Sequence, residues 1–314
     1  MNRRYFFFGS LALIGTAGCT KHASTLRKRV SIIRVPDYSY DIQSVVKQIL
    51  LDHKVEVYGK RVLLKPNLVE FSSSAPINTH PVFVAAVAEA FRSLNAAEVR
   101  IAEGPGHRRM TMDLASDAGY FEAIPAFEKH FTDLNLDDVS RVTIHHPFSS
   151  LGSLYLPKTA LHCDLLVSLP KMKTHHWTGA TLSMKNLFGL VPGAIYGWPK
   201  NVLHWAGIDK SIADLHFRFP RQFCLVDGIK GMQGNGPILG EPIWPGLIVA
   251  GKHPPSVDAT CCRLMKINPK KIRYLELVAQ RAGWREDLVQ QTGESINSSA
   301  LRFALHPDLE HLRL

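Results

Sequence analysis

No C-x-x-C pair occurs among the five cysteines, which excludes an iron–sulfur cluster or zinc site built on that spacing. Nor is there a zinc-finger spacing, an RNP-like aromatic motif or a basic-region helix, and this argues against nucleic acid as a partner. Past the N-terminal segment, no apolar run approaches the roughly 20 residues of a membrane span. Low-complexity tracts and repeats of solenoid length are absent too, leaving the composition of an ordinary globular protein. The glycine-rich GMQGNGPILG at 231–240 lacks the Lys-Ser/Thr ending of a P-loop. Neither it nor EGPGHRR at 103–109 has the glycine spacing of the dinucleotide fingerprint. The most informative absence is local. SLPKMKTHHWTGATLSMKN, residues 168–186, holds three lysines and two histidines and not one carboxylate.

What the chain does carry is positive charge, +10 net, which favours anionic partners. Its start, MNRRYFFFGSLALIGTAGC, has Arg3-Arg4, an apolar stretch and small residues before Cys19. Residues 1–18 therefore read as a twin-arginine-like, lipoprotein-type signal peptide, with Cys19 as the lipidated residue. Thr16 stands where the lipobox prefers Leu, and an uncleaved anchor is the alternative. Residues 19–29 read as a basic tether near headgroups or a solvated spacer. The expectation is export by the twin-arginine machinery and a lipid anchor on the periplasmic or extracytoplasmic side of a membrane. Export in the folded state raises the expectation of a bound cofactor. The remaining cysteines, Cys163, Cys224, Cys261 and Cys262, read as buried inert thiols, with a disulfide as the alternative in an oxidising compartment.

Apolar, β-branched runs recur, several of them followed by polar residues and then a helical pattern. VSIIRV at 30–35 leads to an amphipathic run at 42–51, and RVLL at 61–64 leads into KPN. VRIA at 99–102 leads into EGPGHRR, DLLVSL at 164–169 into PKMKTH, FCLV at 223–226 into DGIKG, and GLIVAG at 246–251 into KHPPSVD. HPVFVAAVAEAFRSL after Thr79 has the three- and four-residue apolar spacing of a helix. Two late helices follow, at 256–267 and from Lys271 to a Gly283 C-cap. This alternation predicts an α/β fold, a mostly parallel sheet with helices on both faces. The less regular residues 113–158 read as an insertion or lid, residues 30–285 as the α/β domain, and 286–314 as a C-terminal extension. In such sheets the loops at the carboxyl ends of strands build the ligand crevice. Polar residues stand at each of those ends: Lys65 and Asn67; Glu103; Lys171, Lys173 and His175; Asp227; Lys252 and His253.

Lys171 and Lys173, two apart on an extended segment, share one side. Lys185 and Asn186, beyond a short apolar turn, can fold back beside them, and Lys65 adds a fourth charge. Clustered lysines repel unless an anion sits among them. The pattern therefore predicts a small anionic ligand held by Lys65, Asn67, Lys171, Lys173, Lys185, Asn186 and Asn235. Ordinary surface lysines are the alternative. His175 and His204 are candidates for proton transfer, against a structural role bonded to backbone. With Asp227 or Glu103 to orient them, they complete a candidate catalytic set. Glu103, Asp227 and Asp258 could also hold a divalent metal with a histidine, although a carboxylate near a helix start, as at Asp258, is favourable without function. His80 stands where it can cap a helix. An enzyme of unspecified reaction is one outcome; a non-catalytic binding or delivery protein, or a redox accessory protein, is the other.

The motifs KPN (65–67), THP (79–81), AEG (102–104), SLPKMKTH (168–175), LSMKNLFGLVP (182–192), DGIKGMQGNGP (227–237) and VDA (257–259) follow one another in a recognisable order. From about residue 30 to 283 the chain resembles the domain of unknown function 362 family. The resemblance implies an α/β fold, frequent export and, in many members, a ferredoxin-like iron–sulfur module. This chain departs from it by lacking that cysteine-rich module, so no iron–sulfur cluster is expected. Gln233 stands where the pattern has Glu, and His253 near a place where Asp often precedes VD. The residues the resemblance carries over most directly are Lys65, Lys171, Lys173, His175, Lys185, Asn186 and Asp227.

Overall fold

A computed structural model describes residues 27–107 and 110–314. The signal peptide, Cys19 and most of the basic tether lie outside these residues, while Lys28 and Arg29 at the tether's end already belong to the first strand. The strands are β1 (Lys28–Arg34), β2 (Arg61–Pro66), β3 (Glu98–Glu103), β4 (Phe131–Asp133), β5 (Val139–Thr143), β6 (Ser153–Pro157) and β7 (Leu165–Leu169). They continue with β8 (Lys171–His175), β9 (Gly179–Thr181), β10 (Gln222–Asn235), β11 (Leu239–Ile243), β12 (Leu247–Gly251) and β13 (Val289–Gly293). The main sheet runs β13-β1-β12-β10-β7-β2-β3-β4, with β8 and β11 attached to β10, and β9 to β8; β5 and β6 form a separate hairpin.

Each central strand buries both faces, which is why its sequence is continuously apolar. Val62 and Leu64 of β2 enter one core and Leu63 the other; Phe223 and Leu225 of β10 oppose Cys224 and Val226 in the same way. Helices Ile42–Asp52 and Pro81–Ser93 cover the first core, and Ile208–Arg218, Pro254–Leu264 and Arg273–Ala282 the second. Gly283 closes the last of these in the left-handed conformation, φ 64°, the geometry glycine adopts without a Cβ penalty. Cys224, Cys261 and Cys262 lie in the core as free thiols, and Cys163 is partly exposed and also free.

From β10 through β7, β2 and β3 to β4 every neighbouring pair is parallel, so their carboxyl ends share one edge. β12 runs antiparallel to β10, with Gly251 beside Cys224. The expectation for Lys252 and His253 is thereby corrected: they follow a strand of opposite direction and lie at the other edge. The extended segment Lys171–His175 is strand β8, paired with both β10 and β9. The glycine-rich stretch from 231 is the β10–β11 hairpin. Of residues 113–158, β4 joins the main sheet and only the β5–β6 hairpin stands apart. The stretch read as a C-terminal extension supplies β13 to the sheet and Phe303, Leu305 and Leu312 to the core.

Candidate functional site

Two adjacent parallel strands deliver the first pair of charges. Lys65 near the end of β2 and Glu103 at the end of β3 meet at 2.6 Å, with both side chains almost wholly buried. The ammonium also donates to Pro66 O at 2.8 Å and Asn186 Oδ1 at 3.2 Å. Glu103 accepts the backbone N–H of Leu68 at 3.1 Å and of Gly104 at 2.9 Å. A Cβ on Gly189 would overlap Glu103 Oε1 and Lys65 Nζ, so the glycine of LFGLVP is what lets that segment close over the pair.

Asp258 explains how Lys185 and Asn186 reach this place. From helix Pro254–Leu264 its two oxygens accept the N–H groups of Ser183 at 2.8 Å and Met184 at 3.0 Å, pinning the short helix Ser183–Asn186. Burial pushes its carboxyl up to about 7. Asn186 Nδ2 then ties back to Lys65 O at 3.0 Å and Ser168 Oγ at 3.1 Å. Lys173 on β8 donates to Ile77 O at 2.7 Å and Pro237 O at 3.2 Å. Lys200, in the left-handed conformation at φ 68°, donates to Gly104 O at 2.5 Å and Phe188 O at 2.9 Å.

Lys65, Lys173, Lys185 and Lys200 line a single cavity of about 200 Å³, together with His175 and His204. Glu103 is the only carboxylate among its described lining residues. Unlike the other three lysines, Lys185 makes no hydrogen bond through its ammonium among the described residues; the ammonium lies 3.8 Å from the centre of the Phe188 ring. Burial, then the neighbouring Lys65, lowers the Lys185 ammonium to about 7; burial lowers Lys200 to about 7 against the opposing pull of Glu103. Lys173 is driven well below the ordinary lysine range, first by burial and then by Lys185 and Lys171. Two buried polar atoms on the cavity wall, Asn67 Oδ1 and Thr181 Oγ1, have no hydrogen-bond partner among the described residues.

The two histidines are neutral near pH 7. Burial holds His175 well below its usual range, reinforced by Lys185, and holds His204 down to about 4. Their tautomers differ. His175 Nδ1 accepts the N–H of Trp177 at 3.1 Å, which leaves its proton on Nε2. His204 Nδ1 faces Lys200 O at 3.1 Å; a carbonyl only accepts, so the proton sits on Nδ1 and Nε2 is a bare acceptor. Among the described residues, no hydrogen bond or ion pair links either histidine to a carboxylate. Glu103 is turned instead to Lys65 and two backbone N–H groups.

The structure thus brings together Lys65, Asn67, Glu103, Lys173, His175, Lys185, Asn186 and His204. Four sequence-predicted residues lie elsewhere. Lys171, although two residues from Lys173, is paired with Asp227 and also donates to Tyr38 Oη at 2.9 Å. Asp227 accepts the Tyr38 hydroxyl at 2.9 Å and the His80 N–H at 3.0 Å. Lys171 lines a second depression whose wall is the 71–81 segment, the same segment that takes Lys173 on its Ile77 carbonyl from the cavity side. Asn235 is exposed on the β10–β11 hairpin, and Pro237 of that turn lines the cavity in its place. Asp258 supports the site from behind. Glu103, Asp227 and Asp258 are therefore in separate environments, and no group of three His, Cys, Asp or Glu side chains among the described residues is arranged to hold a metal ion. A cavity walled by ammonium groups does not fit a divalent cation. His80 caps helix Pro81–Ser93 through Nδ1.

Comparison with known proteins agrees with the order of the motifs. The model of the family described as "Domain of unknown function (DUF362)" matches residues 62–263, and the chain belongs to that family. A thylakoid-associated protein of Synechocystis sp. is 28% identical over 223 residues, covering 68% of this chain and 65% of that protein. Two solved structures are similar at low identity. The lactate racemase apoprotein from Thermoanaerobacterium thermosaccharolyticum is 13% identical with a TM-score of 0.48. A protein from Thermotoga maritima is 12% identical with a TM-score of 0.38. Each match spans 77% of this chain and 58% of the other.

Proposed function

We propose that this member of the domain of unknown function 362 family binds a small anion, of the carboxylate or phosphate class, in the cavity between Lys65, Lys173, Lys185 and Lys200. The observation that carries this is a charge imbalance in a largely buried place. Four ammonium groups share one lining carboxylate, with Asp209 and Asp133 acting on Lys185 and Lys200 through space and without an ion pair. Among the described residues, three of the four have only carbonyl oxygens or an aromatic face as partners. An anion supplies the missing charge and returns the lysines toward their ordinary, protonated range. Thr181 Oγ1 can donate to it, and Asn67 Oδ1 can take a proton-bearing group of the same ligand. The cavity's size suits a small molecule rather than a polymer. On the twin-arginine-like start and Cys19 we place this binder outside the cytoplasm on a lipid anchor, a placement the mass of the mature N-terminus tests.

Calorimetric titration with phosphate tests the site. Binding should weaken as pH rises through about 7, where Lys185 and Lys200 lose their charge. Lys185→Ala should weaken it about tenfold to a hundredfold, the worth of one charge-assisted hydrogen bond. Lys171→Met should leave affinity unchanged, since Lys171 faces the other depression. Equal affinity in wild type and Lys185→Ala contradicts the proposal. A catalytic reading is favoured by one further observation: the opposite tautomers of His175 and His204 put a proton donor and a proton acceptor in the same cavity.

A further inference from the structure

Among the four lysines of the cavity, three are tied down. Lys65 is held by Glu103, Lys173 by the Ile77 and Pro237 carbonyls, and Lys200 by the Gly104 and Phe188 carbonyls. Among the described residues, Lys185 alone of the four has its nitrogen free of hydrogen bonds, against the Phe188 ring and on the cavity wall. A buried ammonium that lacks hydrogen-bond acceptors and has Lys65 beside it gains by releasing its proton, even with Asp209 and Glu103 pulling the other way. A neutral amine in an anion-binding cavity is a nucleophile. From this placement we propose that Lys185 forms an imine with an anionic carbonyl compound, its anionic group held by Lys173 and Lys200. The proposal rests on the anion-binding reading above and names the chemical class of its ligand.

The step balances within the cavity. The Lys185 nitrogen lone pair attacks the carbonyl carbon, the nitrogen gives up a proton and the carbonyl oxygen gains one, forming a carbinolamine. A second proton reaches that oxygen, it departs as water, and the nitrogen loses its remaining proton or keeps it as an iminium. His175, with its proton on Nε2, is the donor for the oxygen, and His204, with a bare Nε2, is the acceptor for the nitrogen. Asn67 Oδ1, unpartnered among the described residues, can accept the carbinolamine hydroxyl. The depressed proton affinity of Lys185, to about 7, is consistent with an amine that is substantially neutral at physiological pH.

Reductive trapping tests this on the full chain. The protein is incubated with glyoxylate and cyanoborohydride, and the modified peptide is identified by mass spectrometry. The expected product is a single carboxymethyl adduct on Lys185, formed at pH 7 about tenfold faster than on exposed lysines, whose pKa of ~10.4 leaves them protonated. Phosphate should slow it, and Lys185→Arg should abolish it while retaining phosphate binding. Phosphate binding without an adduct on Lys185, or adducts spread over surface lysines alone, overturns the imine proposal and leaves the anion site standing. No phosphate binding together with no adduct on Lys185 overturns both.

Discussion

Lys200 offers the sharpest energetic test of the charge imbalance. It is 2% exposed, carries no carboxylate partner of its own and is lowered by burial to about 7. In the unfolded chain a lysine titrates near ~10.4. Between these two values the unfolded state binds more protons than the folded one, so stability rises with pH across that window. Below about 7 both states are protonated and the burial penalty is paid in full; above ~10.4 both are neutral and it is gone. The limiting slope for one such group is about 1.4 kcal/mol per pH unit, less toward the ends of the window. Urea unfolding at pH 7.5, 8.5 and 9.5 on wild type and Lys200→Met reads it. That window lies above the value of about 7 for Asp258, whose own titration has the opposite sign and is then over. Wild type should gain about 2 kcal/mol more than the variant across the window, a relative shift of ~0.7 M in midpoint at an m-value of ~3 kcal/mol per M. The carbonyls that Lys200 leaves behind shift the variant by a constant and do not enter the slope. Saturating phosphate should flatten the wild-type rise, because a bound anion keeps the lysines charged. Parallel curves for the two proteins would refute the reasoning.

Three other perturbations follow from the same geometry. Glu103→Ala strands the buried Lys65 ammonium and should cost about 3–5 kcal/mol, read by urea unfolding at pH 7. Asp258→Ala removes the acceptor of two buried N–H groups and should cost about 2–3 kcal/mol; it should also weaken phosphate binding by calorimetry, because Lys185 and Asn186 lose the support that places them. Lys171→Met separates the two depressions: it should destabilise the fold by leaving Asp227 unpaired, yet leave phosphate affinity at the wild-type value.

The fold was legible because its central strands are continuously apolar and its helices carry caps. VSIIRV and RVLL mark β1 and β2 to within two residues, FCLV marks only the start of the longer β10, and the Gly283 stop is the observed C-cap. Strand direction was not legible. GLIVAG reads the same either way, so nothing in KHPPSVD reveals that β12 runs against its neighbours. The site was legible where polar residues follow parallel strands, at Lys65 and Glu103, and where a carboxylate-free stretch folds back, at Lys173 and Lys185. Period-two alternation put Lys171 and Lys173 on one side, but it could not show the 71–81 segment standing between their ends. Asn235 was drawn in by its glycines, whose role is the hairpin. Lys200 was missed because no strand precedes it. The signal was the Gly-, Pro- and aromatic-rich LVPGAIYGWPK, whose shaped backbone ends by turning that one lysine inward. The oppositely protonated histidines depend on backbone partners that sequence does not display.

Anomalous diffraction from crystals soaked in tungstate, a tetrahedral oxyanion, tests the central claim most directly. The account predicts a strong peak inside the cavity, with oxyanion oxygens in hydrogen-bond reach of the Lys173 and Lys185 ammonium groups, and its loss in Lys185→Ala. Tungstate bound only at surface lysines, with the cavity between Lys65 and Lys200 left to water, would contradict it.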